Sequence, residues 1–205
     1  MCNFIHTEIV RKKPPKKPAD LQGLGLFTAS QARKRAGISQ PTLSRWVRDG
    51  AIEKVARGFY LYPEANVPRE TLDFVVACAK FGPRSAIGGL SALFHHRLID
   101  RPAEQIWIVV PPSVLSRNSF YRCLRTKTPT TSGIEEREHF RITDIERTLI
   151  ESMKFAPKIG ARTAIHAART ALREGRTSEK KLGEMAKKLK QSAVLAKFWE
   201  AIVEP

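Results

Sequence analysis

Little in this chain of 205 residues suits covalent cross-linking, metal chemistry or a membrane. Its three cysteines, Cys2, Cys78 and Cys123, are odd in number and far apart. That excludes a disulfide framework and a zinc knuckle, and it fits a reducing cytoplasm. No stretch reaches the roughly 18 consecutive apolar residues that a membrane-spanning helix requires, and Met1 to Val10 has no apolar run followed by a small-residue cleavage site. The chain is therefore expected to be soluble, cytoplasmic and not secreted. Aromatic residues make up only 8%, and the sheet-borne stacking aromatics of RNA-binding modules are not evident.

Catalytic patterns are equally thin. No phosphate-cradling glycine loop occurs. Gly88-Gly89 is followed only by a lone Asp100 beside Arg101, whereas a nucleotidyltransferase places two carboxylates flanking one residue after its glycine turn. His95 and His96 are adjacent, so on a helix they point about 100° apart and cannot chelate one metal. His139 and His166 stand alone, and Glu135-Glu136-Arg137-Glu138 reads as a solvated charged turn. No catalytic residue, no metal site and no cofactor are expected.

What the chain has in excess is positive charge: 36 Lys and Arg against 20 Asp and Glu, a formal +16. An excess of that size repels itself in the compact state and points to an anionic partner. Its distribution is uneven. Residues 1–26 carry +3, 27–63 carry +5, 64–153 carry +1 and 154–205 carry +7. With 42% apolar residues the chain can bury a core, and its length suits two small domains. The expected division is a basic, proline-rich arm over 1–24, a DNA-binding domain over 25–64 and an α/β domain over 65–205. The arm carries Arg11-Lys12-Lys13-Pro14-Pro15-Lys16-Lys17-Pro18, where prolines forbid a regular helix. It reads equally as a solvated tail or as a DNA-contacting arm.

The punctuation between Phe27 and Pro63 is the most legible in the sequence. Thr28-Ala29-Ser30-Gln31 has the form of a capping box, opening a helix over about 29–36 that Gly37 ends. Ser39 then caps a second helix with Pro41 in its first turn, where a missing amide hydrogen loses little. Leu43, Trp46 and Val47 share one face of that helix and should bury it. Thr42, Arg45 and Arg48 occupy the opposite face, with Gln40 and Ser44 near its edge. Two short helices joined by a glycine-containing turn form a helix-turn-helix. Arg forks onto guanine, Gln pairs with adenine, and hydroxyls reach phosphates or base edges. Strands over 52–55 and 59–62, around Ala56-Arg57-Gly58, add a wing, with Arg57 at its tip and Lys54 set toward phosphate. The candidate DNA-binding residues are Gln40, Thr42, Ser44, Arg45, Arg48, Lys54 and Arg57.

The string FTASQARKRAGISQPTLSRWVRDGAIEKVARGFYLYP, together with SAIGGLSAL at 85–93, Ile106-Trp107-Ile108-Val109-Val110 and Ile145-Glu146-Arg147-Thr148-Leu149-Ile150, resembles the AbiEi-type antitoxins. These are transcriptional regulators of type IV toxin–antitoxin and phage-defence loci. The resemblance spans roughly residues 25–155. It implies an autorepressor that binds double-stranded DNA at its own promoter and whose carboxy-terminal domain neutralises a nucleotidyltransferase-like toxin. Two departures are visible. Pro14, Pro15, Pro18, Gly23 and Gly25 leave little room for the helix that usually precedes the Thr28 position, and Glu151 stands where the pattern has aspartate.

The remainder reads as helices over 69–81 and 87–98, a strand over 106–110, weak strands near 121–127 and 138–142, and helices over 144–155, 158–174, 178–190 and 194–203. The expected fold class is α/β (α+β): an N-terminal winged helix-turn-helix, then a mixed α/β domain with a helical C-terminal tail. In that tail Ile165, Ala168 and Leu172 should form the apolar face, opposite a basic surface. Palindromic operators require two copies, so a homodimer on DNA is expected. Two rival classes remain: an interaction protein that uses the winged helix and basic tail to hold an acidic partner, and a nucleic-acid-processing enzyme built from residues such as Asp100, Glu104 and His139.

Overall fold

The structure, a computed structural model, describes residues 21, 23, 25–128 and 132–204. Apart from Leu21 and Gly23, the arm expected over 1–24 lies outside the described residues. The chain divides into two compact units, 1–68 and 69–205.

In the first unit, β1 (Leu26–Thr28) leads directly into α1 (Ala29–Ala36). The expected capping box forms: Thr28 Oγ1 accepts from the Gln31 amide at 3.1 Å, and Gln31 Oε1 accepts from the Thr28 amide at 2.8 Å. Gly37 closes α1 at φ 63°, in the left-handed region that disfavours a β-carbon. Ser39 caps α2 (Gln40–Arg48). The hairpin follows as β2 (Glu53–Ala56) and β3 (Phe59–Leu61), turning at Gly58 with φ 81°. β3 is the central strand, paired antiparallel with β2 on one side and with β1 on the other.

The third strand, β1, was not expected from the sequence. It is three residues long, and its partner lies far along the chain, with Leu26 opposite Leu61. Leu43 and Trp46 bury as the helical spacing predicts, and Val47 is half-buried. They meet Phe27, Ile38, Ile52 and Tyr60 in one apolar cluster, which also takes in the fully buried Leu21. The Phe27 ring stacks on Tyr60 at 5.8 Å between centroids.

The second unit opens with a 3-10 turn, Arg69–Thr71, and α3 (Leu72–Phe81). Then come β4 (Ala86–Ile87), α4 (Gly89–His95), β5 (Ile106–Val110), β6 (Tyr121–Arg125), β7 (Ile134–Glu136) and β8 (Arg141–Thr143). The chain ends in α5 (Ile145–Lys154), α6 (Ala156–Ile159), α7 (Ala161–Arg173), α8 (Glu179–Lys188) and α9 (Ser192–Val203). The five strands form one mixed sheet in the order β6-β5-β4-β8-β7. The β5–β6 and β4–β8 pairs are parallel, and the β4–β5 and β7–β8 pairs are antiparallel.

Trp107, Val109 and Leu124, alternating along β5 and β6, pack with Leu149, Met153, Leu182 and Leu195 of the helices. α3 packs against β4 and β5. Three sequence expectations need correction here. The helix expected from residue 87 begins at Gly89, because Ala86–Ile87 joins the sheet. The strand expected over 138–142 is a hairpin of β7 and β8 around a turn at 137–140. The buried stripe of α7 is Ala164, Ala167, Ala168 and Ala171, with Ile165 and Leu172 only half-buried, so small side chains let the neighbouring helices close in.

Glu151 is 1% exposed and meets the fully buried Arg147 one helical turn earlier at 3.1 Å. Arg147 Nη1 also donates to the Ser132 carbonyl at 2.6 Å. Burial raises the Glu151 carboxyl above its ordinary value, and the Arg147 guanidinium opposes that rise. The pair pins α5 to the segment before β7, although replacing both partners by apolar groups of the same shape would cost little.

Candidate nucleic-acid interface

α2 is held from beneath by apolar burial and from its start by hydrogen bonds. Leu43 is 0% and Trp46 6% exposed, and removing the Leu43 side chain to Ala would cost about 2–5 kcal/mol. Ser39 Oγ lies 3.0 Å from Thr42 Oγ1 and accepts from the Thr42 amide. At the other end the Ala51 amide returns to the Trp46 carbonyl at 2.8 Å, closing α2 beyond Gly50.

On the outer surface, Gln40, Ser44 and Arg48 recur at four-residue intervals and form one exposed row, with Arg45 exposed beside it. The Arg48 side chain is 76% exposed, and its contact with Asp49 at 3.6 Å is a solvated ion pair of little energetic weight. The structure separates the remaining candidates from that row. Thr42 is half-buried with its hydroxyl on Ser39, which makes it part of the cap. Gln40 Nε2 donates to the Tyr60 hydroxyl at 2.9 Å. That bond fixes the amide while leaving Oε1 and the second N–H, the pair an adenine edge uses. It also ties the start of α2 to the wing sheet, since Tyr60 on β3 stands opposite Lys54 on β2.

On the wing, Lys54 and Arg57 are both exposed. A register shift between Lys54 and Ala56 bends β2 just before the tip. The Gly58 carbonyl accepts from the Ala29 amide at 3.2 Å, which anchors the turn that carries Arg57 to the start of α1.

Sequence reasoning did not single out Arg33, Lys34 and Arg35, all exposed in the last turn of α1. Cations there complement the negative end of the helix dipole. In helix-turn-helix proteins the first helix crosses the phosphate backbone, so the same side chains can also meet DNA. The signal was present in the sequence as a three-cation run inside the +5 segment.

The adjacent pair His95 and His96 of the second unit is occupied structurally. The His95 ring meets Phe74 and Phe140 edge-on at 5.9 and 5.7 Å. His96 is buried, with Nε2 2.7 Å from the Thr143 carbonyl oxygen. Among the described residues no group of three His, Cys, Asp or Glu side chains is placed to hold a metal ion, and no helix is long and apolar enough to cross a membrane.

Residues 19–63 match the family model described as transcriptional regulator, AbiEi antitoxin. The matched segment takes in β1, both helices of the helix-turn-helix and the wing, and it supports a regulator role. No curated protein matches the chain. Among solved structures, the crystal structure of the Rv2827c protein from Mycobacterium tuberculosis has a TM-score of 0.60 at 16% identity, over 88% of this chain and 73% of that one. The two share a fold, a mixed α/β architecture with an N-terminal helix-turn-helix.

Proposed function

We propose, from a winged helix whose sequence matches a family of antitoxin transcriptional regulators, that this chain is an autorepressor that binds duplex DNA at its own promoter. The observation that carries the reading is the two-sided build of α2: Leu43 and Trp46 buried beneath, with Gln40, Ser44, Arg45 and Arg48 exposed above. A helix of that build can lie in the major groove with a rigid set of forked and small donors toward the base edges. Arg45 and Gln40 take the base-reading roles. Arg48 and Ser44 reach base or phosphate, Thr42 holds the helix start, and Lys54 and Arg57 contact the backbone from the wing. Arg33, Lys34 and Arg35 add phosphate contacts from α1.

Two copies occupy a palindromic operator, and the protein works in the cytoplasm. In this reading the second unit supplies the antitoxin function against a nucleotidyltransferase-like toxin.

A gel-shift titration tests the DNA reading directly. The duplex upstream of the gene and a scrambled duplex are each titrated at about 50 and about 150 mM salt. Preference for the upstream duplex that persists at the higher salt is the expected result. Equal binding to both that collapses with salt would leave only charge meeting phosphate, and the interaction-protein reading would replace this one.

A further inference from the structure

We infer that the open edge of β6 is a docking site for an acidic, extended segment of a partner protein, which joins the sheet there as an added strand. The inference is independent of the DNA reading and rests on the second unit alone.

The first observation is the backbone. β6 lies at the end of the sheet and pairs only with β5. The bonds at its two ends run from the Ile106 amide to the Phe120 carbonyl and from the Thr126 amide to the Val110 carbonyl. In a parallel pair this phase turns the backbone groups of even-numbered residues toward β5. Those of Cys123 and Arg125 therefore face away from the sheet, a row of donors and acceptors with no strand on it among the described residues.

The second observation is space. A cleft of about 250 Å³ runs along this edge, lined by Val114, Leu115 and Ser116 of the preceding loop, by β6 itself and by Lys158 of α6. The loop borders the edge without filling it.

The third observation is chemistry. Leu115 is 74% and Phe120 42% exposed, large apolar side chains on the same loop. Between Glu104 and Glu135 the chain has no acidic residue but four cations, Arg117, Arg122, Arg125 and Lys127, all exposed. Neither these four nor Lys158 forms an ion pair within the described residues. Cations on an edge strand keep like-charged copies of the same chain from pairing with it. The same cations favour a strand of opposite charge, and β-strand addition supplies the backbone bonds while flanking side chains select the sequence. Nucleic acid would use the cations but neither the outward backbone row nor Leu115 and Phe120, so the arrangement favours a peptide chain.

The test uses the full-length protein and three labelled eight-residue peptides, measured by fluorescence anisotropy at about 150 mM salt. One alternates Glu and Val, one alternates Lys and Val, and one keeps the Glu residues but carries two central prolines that cannot form a strand. The expected result is saturable binding of the Glu–Val peptide alone. Arg122→Glu with Arg125→Glu should weaken it by about tenfold or more, and Lys187→Glu on α8 should leave it unchanged. Cys123→Pro, which removes one outward donor and spares the β5 ladder, should weaken it similarly. Should that variant not fold, hydrogen exchange on the unaltered protein decides, with protection of the Cys123 and Arg125 amides on peptide addition as the expected outcome. Equal binding of the proline peptide, indifference to the double charge reversal, or protection of those amides by duplex DNA instead of peptide would each overturn the proposal.

Discussion

Arg45 and His95 illustrate how differently two exposed-looking polar residues are employed. Arg45 is exposed on α2 with its cation directed to solvent. If it forks onto a guanine, Arg45→Ala removes about 1–3 kcal/mol of discrimination at one base pair and leaves other positions intact. Competition gel shifts against operator variants check this, and uniform weakening across all variants would make Arg45 a phosphate contact. His95 is instead packed among Phe74 and Phe140. Burial lowers its imidazole below the ordinary value, His96 and Arg137 lower it further, and Glu135 opposes them. The folded state thus binds a proton at His95 less readily than the unfolded chain does. The associated stability is complete above an unfolded pKa of about 6.5 and is lost as pH falls through the lowered folded value. His95→Gln should therefore narrow the gap between melting temperatures at pH 7.5 and pH 5.5, and an unchanged gap would show that other groups set the acid limb.

At the scale of elements, what was legible in the sequence is what is decided locally. The Thr28–Gln31 box, Gly37 and the Ser39–Pro41 start each act within four residues, and the helices they delimit appear where expected. The buried face of α2 followed from spacing alone, whereas the division of labour on its outer face did not. That Gln40 is held by Tyr60 depends on a residue twenty positions away, and the Thr42 hydroxyl turns to the Ser39 cap three residues before it. Two of the missed strands, β1 and β4, are two or three residues long and depend on distant partners, Leu26 with Leu61 and Ile87 with Ile142. Glu151 read as an unexplained departure until folding set it against a buried Arg147. Gly88-Gly89, noted first for the catalytic turn it fails to build, has a packing reason of its own. A β-carbon on Gly88 would lie 2.4 Å from Val109 Cγ2, so the glycine lets the start of α4 approach β5. Gly88→Ala should cost about 1–3 kcal/mol by urea unfolding. The loss should shrink in a Val109→Ala background, where the colliding methyl is gone. Additivity of the two substitutions would show that the backbone, not that methyl, sets the cost.

For the whole molecule, a formal charge of +16 favours some binding to any duplex at low salt, so affinity alone says nothing about regulation. The dependence of affinity on salt separates the contributions. Each phosphate neutralised adds about −0.9 to the slope of log K against log salt, whereas a base contact shifts the curve without tilting it. The wing cations and the α2 face should therefore behave oppositely in the full-length protein. Arg57→Ala and Lys54→Ala should each reduce the magnitude of the slope by about 1, on operator and scrambled duplexes alike. Tyr60→Phe should leave the slope unchanged, since no charge is altered, and should lower the preference for operator because Gln40 loses the hydroxyl that orients it. Titrations at four salt concentrations resolve both effects. If Tyr60→Phe changed neither slope nor preference, Gln40 would be no base reader and specificity would fall to Arg45 and its neighbours. A slope unmoved by Arg57→Ala and Lys54→Ala would remove the wing from the DNA surface and leave α1, with Arg33, Lys34 and Arg35, together with Arg48 of α2, as the source of backbone contacts in the first unit.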